Sequence, residues 1–62
     1  MFIEVLTQKR ERISLNIDLI LNFSPIKNGT CIYMANEEGF TILEEYDDFK
    51  ERLKSLKLLQ NV

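Results

Sequence analysis

Apolar and polar positions alternate with a period of two over most of residues 2–43, and a helical period takes over from residue 45. In Phe2-Ile3-Glu4-Val5-Leu6, Ile3 and Val5 fall on one side of a strand and Phe2, Glu4 and Leu6 on the other. Thr7-Gln8-Lys9-Arg10-Glu11 has no period and turns the chain, after which Arg12-Ile13-Ser14-Leu15-Asn16 alternates again, so the two segments predict a hairpin. Asn16 and Asp18 bracket a kink, because short polar side chains bond to nearby backbone and compete with a continuous ladder. A third strand is predicted from Leu19 to Ser24.

Two further turns follow from the glycines. Asn28-Gly29 is the pair that a two-residue type I′ turn favours, since both central positions need positive φ. With those residues at the tip, Lys27 pairs with Thr30, Phe23 lies opposite Met34, and Pro25 falls opposite Ile32. Having no N–H to give a ladder, Pro25 then belongs at an unpaired edge position, or else the loop is wider than two residues. Glu37-Glu38-Gly39 suits a three-residue loop closed by a left-handed glycine, which sets Asn36 against Phe40 and Met34 against Ile42. Ile32, Met34, Phe40 and Ile42 then share one face.

Tyr46, Phe49, Leu53 and Leu56 recur at three- and four-residue steps, with Leu58 or Leu59 extending the stripe, so an amphipathic helix is predicted over about 45–59. Asp47 and Asp48 stand in its first turn, while Lys50, Arg52, Lys54 and Lys57 come later, the order the helix dipole favours. Asp48 and Arg52 are spaced for an i,i+4 pair, and Gln60-Asn61-Val62 is expected to fray. The fold class that emerges is α+β: one small domain over 1–62, with four or five short strands in an antiparallel meander and one C-terminal helix packed on a face. The expected core is Ile3, Val5, Ile13, Leu15, Leu21, Phe23, Ile32, Met34, Phe40, Ile42, Phe49 and Leu53.

Composition narrows the chemistry. The chain has 62 residues, of which 45% are hydrophobic and 29% charged, the balance of a folded domain. Eight basic side chains against ten acidic ones leave a net charge of −2, so no overall positive field draws a polyanion. There is no histidine, and the single cysteine has neither a disulfide partner nor fellow zinc ligands. The acidic residues Glu37, Glu38, Glu44, Glu45, Asp47 and Asp48 lack the alternating oxygen ligands of a calcium loop, because Phe40, Ile42 and Leu43 interrupt them. They read as a solvated hairpin tip and a helix start. No catalytic, cofactor-binding or metal-ligating residue is assigned, and an enzyme is not expected. Neither a secretion signal nor a membrane span is legible, so the expected compartment is the cytoplasm.

Two features remain as candidates for binding. If Ile32 and Met34 face the helix, then Cys31 and Tyr33 face away, alongside Leu43, Phe2 and Leu6. One helix covers one side of a sheet, so these five residues form a candidate protein interface, and self-association into a homo-oligomer is the first expectation. Lys9, Arg10 and Arg12 form the compact basic cluster at the first turn. They are the candidate contacts of the alternative, a small nucleic-acid-binding regulator.

Ile3-Glu4-Val5, Ile13-Ser14-Leu15-Asn16 with Asp18-Leu19-Ile20, Asn28-Gly29-Thr30-Cys31-Ile32-Tyr33, and Phe40 through Tyr46 leading into a helix together resemble the FlbD-type small flagellar proteins and related short bacterial and prophage proteins. The resemblance covers residues 2 to about 53. It implies a cytoplasmic accessory to motility or gene regulation, with no enzymatic residues to carry over. The chain departs from that pattern at Thr7-Gln8-Lys9-Arg10-Glu11, where the family has a glycine-containing turn, and at Ser24-Pro25-Ile26. A fainter similarity is to LytTR DNA-binding domains, whose basic loops would correspond here to Lys9, Arg10 and Arg12.

Overall fold

The computed structural model describes residues 1–56. The predicted extension of the helix to residue 59, the Leu58 or Leu59 end of its stripe, Lys57, and the fraying of Gln60-Asn61-Val62 lie outside the described residues. Five antiparallel strands and one helix follow in the order β1 (Phe2–Leu6), β2 (Arg12–Asn16), a 3₁₀ turn (Ile17–Leu19), β3 (Ile20–Ile26), β4 (Gly29–Met34), β5 (Gly39–Ile42) and α1 (Tyr46–Ser55). The α+β class is as the periodicity predicts. The meander, however, is divided into a two-stranded sheet, β1-β2, and a three-stranded sheet, β3-β4-β5. A single bridge, Thr7 to Ile42, joins them, flanked by Gln8 N–H donating to Thr41 O at 3.1 Å and Leu43 N–H donating to Leu6 O at 3.0 Å.

Both three-residue hairpin loops are built alike, and neither uses glycine. In the first, Thr7 N–H bonds Glu11 O and Arg10 N–H bonds Thr7 O, with Arg10 at φ 65°. In the β4–β5 loop, Met34 N–H bonds Glu38 O and Glu37 N–H bonds Met34 O, with Glu37 at φ 69°. Each is a type I turn closed by a left-handed residue, but the second is centred on Ala35-Asn36-Glu37 rather than Glu37-Glu38-Gly39. Ile32 therefore pairs with Phe40 and Thr30 with Ile42. An L-residue held left-handed is strained by about 1–2 kcal/mol, part of which glycine's extra unfolded-state freedom cancels. Glu37→Gly is expected to stabilise the protein by about 0.5–1 kcal/mol, read as a rise in the urea midpoint at constant slope.

The β3–β4 turn is likewise displaced. Ile26 pairs with Gly29, so Lys27 and Asn28 are the central residues, and only Asn28, at φ 66°, is left-handed. Phe23 consequently pairs with Ile32 and Pro25 with Thr30. Both register corrections move the pairing by an even number of residues, so Ile32, Met34, Phe40 and Ile42 keep their shared face. Gly29 has no positive φ; its lack of a side chain serves close packing, because a Cβ there would run into the carbonyl oxygen of Ile42.

The core holds Ile3, Val5, Leu15, Ile32, Met34, Ile42, Phe49 and Leu53 as predicted, with Ile13, Phe23 and Phe40 partly buried against it. Leu21 does not belong there: it is 67% exposed. The ladder skips from Ile20 opposite Met34 to Asn22 opposite Tyr33, so Leu21 is the extra residue of a β-bulge and Ile20 takes the inward place that strict alternation gives to Leu21. Ile17 joins the core instead, tucked in by the 3₁₀ turn that Asn16 caps through its side-chain oxygen on Asp18 N–H. Thr30 is the one buried polar residue among those described, its hydroxyl donating to Glu44 O at 2.8 Å.

Helix α1 rests Phe49 and Leu53 on β3 and β4, and Phe49 meets the Phe23 ring edge-on with centroids 5.2 Å apart. Arg52 does not pair with Asp48. Its guanidinium donates to Glu44 Oε1 at 2.9 Å and to the Glu4 carbonyl at 2.7 Å, since its planar fork reaches a carboxylate and a backbone oxygen together.

Candidate functional site

A concavity lies where β1 meets the end of β5 and the helix, lined by Glu4, Val5, Leu6, Arg12, Leu43, Glu44 and Arg52. Its charges are already matched. Arg52 is bound to Glu44 and to Glu4 O, and Arg12 lies 3.6 Å from the Glu4 carboxylate. With each carboxylate facing a guanidinium, the cleft holds neither a free acid and base nor a nucleophile, and its polar groups clamp the helix to the first hairpin. Among the described residues, no group of three or more His, Cys, Asp or Glu side chains is placed to hold a metal ion, and no helix is long and apolar enough to cross a membrane.

The five candidate interface residues fall into separate places. Leu6 and Leu43 share the cleft just described, joined by the bond from Leu43 N–H to Leu6 O. Cys31 and Tyr33 lie two apart on β4, away from the core. Ser24 and Thr41 flank Cys31, while Asn22 and Gly39 flank Tyr33, so polar neighbours break the apolar surface on both sides. Tyr33 packs its ring over Gly39, and Cys31 is a half-buried free thiol. Phe2 stands at the other end of β1 from Leu6, opposite Asn16.

Other exposed apolar residues lie on β1 and around the 3₁₀ turn. The Met1 amine pairs with Asp18 at 3.2 Å, and Met1 O accepts from Ile17 N–H, so residues 1–2 and the 3₁₀ turn lie together. Met1 is 60% exposed, Phe2 68%, Leu19 42% and Leu21 67%. Beside them a groove is lined by Ile17, Asp18, Ile20, Leu21, Asn22, Phe23 and Leu53. Alternation could not reveal this exposure, because it depends on the bulge at Leu21 and on the return of the turn to Met1.

Of the basic candidates, Lys9 and Arg10 project from the first loop, whereas Arg12 is drawn back to Glu4. Gln8 Nε2 donates to Asn28 O at 3.2 Å and ties the first loop to the β3–β4 turn, which brings Lys27 to the same end of the molecule. Glu11 stands in that loop as well, and the acidic start of α1 follows the adjoining end of β5. Three cations among these acids offer far less than the six to ten phosphate contacts that make salt-sensitive duplex binding strong.

These elements define a small α+β protein of two antiparallel sheets closed by one helix. No protein-family model, curated protein or solved structure matches the chain.

Proposed function

We propose that the protein is a non-enzymatic interaction module that associates with copies of itself. The observation that carries this reading is the exposure of Met1, Phe2, Leu19 and Leu21, four large apolar side chains left in water on two segments that the Met1–Asp18 ion pair brings together. Exposed apolar residues scattered singly call for no explanation, whereas several on neighbouring segments offer apolar area that association can bury.

The test is molar mass by light scattering from micromolar to millimolar concentration. The weight-average mass is expected to rise above that of one 7.3 kDa chain as concentration increases. A constant single-chain mass over the whole range overturns the reading.

A further inference from the structure

We infer that the outer edge of β2 is the surface on which a second copy of this chain docks, its β2 strand adding antiparallel to make one four-stranded sheet with Ser14 opposite Ser14. This rests on the self-association reading above and places it on the strand whose last residue, Asn16, lies opposite exposed Phe2 and leads into the turn that carries exposed Leu19.

The sheet edges differ in how they are finished. On β1, the Leu6 carbonyl accepts from Leu43 N–H and the Glu4 carbonyl from Arg52, so the far edge of β1 is occupied. The outer edge of β5 meets the first hairpin through Gln8 N–H and Thr41 O. On β3, Pro25 removes a donor and the bulge at Leu21 bends the strand, two devices that keep edges from pairing. Strand β2, Arg-Ile-Ser-Leu-Asn, has neither, and its one charge sits at an end, beside Glu4.

Backbone direction makes that edge usable. Antiparallel partners alternate between pairs bonded to each other and pairs whose amides point outward. Because Glu4 O and Leu6 O point away from β2, the pairs Glu4–Ser14 and Leu6–Arg12 are of the second kind. The N–H and C=O of Arg12 and Ser14 therefore face the open side, and both residues are exposed. Among the described residues, no backbone bond reaches those groups from another element.

The strand is complementary to itself with the two-fold axis at Ser14. With Ser14 opposite Ser14, the two serines exchange N–H and C=O, and Asn16 N–H of each copy faces the Arg12 carbonyl of the other. Shifting the centre to Arg12 opposes two like charges, and shifting it to Asn16 runs the strand into the 3₁₀ turn. On the inner face the Ser14 register sets half-buried Ile13 against Leu15 of the second copy. The apolar row Val5-Ile13 then continues into Leu15-Ile3 of the second copy. A generic extended peptide has no reason to supply that row, which is why the occupant is a second copy.

Amide hydrogen exchange followed by NMR on the native protein tests the placement. The Ser14 and Arg12 N–H groups are expected to exchange freely at low concentration and to become protected in step with the rise in mass. Ser14→Lys opposes two ammonium groups at the symmetric centre and is expected to weaken association by roughly tenfold or more, with an unchanged circular dichroism spectrum. Ser14→Pro removes the outward N–H while leaving the β1–β2 ladder its bonds, and is expected to do the same. Dimer mass with a freely exchanging Ser14 amide overturns the docking edge and leaves self-association standing. A single-chain mass at every concentration overturns both. Should either variant fail to fold, the exchange pattern of the native protein decides.

Discussion

Phe49→Ala is expected to leave most of the protein unfolded in water at 25 °C. Phe49 is fully buried on the inner face of α1, where its ring stands edge-on to Phe23, itself tilted against Tyr46 with centroids 5.4 Å apart. Truncation removes a ring's worth of transfer free energy and opens a cavity between helix and sheet, a loss of about 3–5 kcal/mol. A chain of this length has only about 3–9 kcal/mol in total at the usual per-residue stability, and small domains lie toward the lower end. The measurement is urea unfolding by circular dichroism, with Tyr33→Ala as the control. Tyr33 is half exposed on the outer face of β4, and its truncation is expected to cost less than about 1 kcal/mol.

Gly29→Ala is the second large effect, and its cause differs. Nothing is removed; a methyl group is forced into space that the Ile42 carbonyl and the Gln8 side chain already fill. The nearer obstacle is backbone, which cannot swing aside as a flexible side chain would. Relief would have to move the end of β5, and with it the Thr7–Ile42 bridge that joins the two sheets. The expected loss is at the upper end of the range of about 1–3 kcal/mol for overpacking, and Gly39→Ala provides the contrast. A Cβ at residue 39 meets only ordinary contacts with Ile32 O and the Tyr33 ring, 3.7 Å away, so its effect is expected to stay within about 1 kcal/mol.

That contrast also explains how far the sequence could be read. Alternation located all five strands and the helix, because each has one face against a single core and the period records that face. The turns were read from glycine, and there the reading slipped. Both left-handed loop closures fall on charged residues, Arg10 and Glu37, while Gly29 is present for close packing rather than for φ. Residue preferences record what is usual at a turn, and tertiary contacts around Asn28 and Ile42 outweighed them. Leu21 was misplaced for a related reason: a bulge inserts one residue into the count and leaves no sign in the hydrophobic pattern. The interface candidates inherited that limit. A face of Phe2, Leu6, Cys31, Tyr33 and Leu43 presumes one flat sheet, and division into two sheets distributes those residues among three places.

Arg52 makes the first hairpin and the helix depend on each other. Its bond to the Glu4 carbonyl spans 48 positions, and the carboxylate it also holds, Glu44, offers its own carbonyl to the buried Thr30 hydroxyl. The first hairpin, the start of β4 and the helix are thereby fastened at one junction. Contacts of such long range carry a large closure entropy and are rewarded only after most of the chain has been brought together. Loosening the helix thus exposes a carbonyl of β1 and frees Glu44 in the same event, which couples the opening of the hairpin to that of the helix.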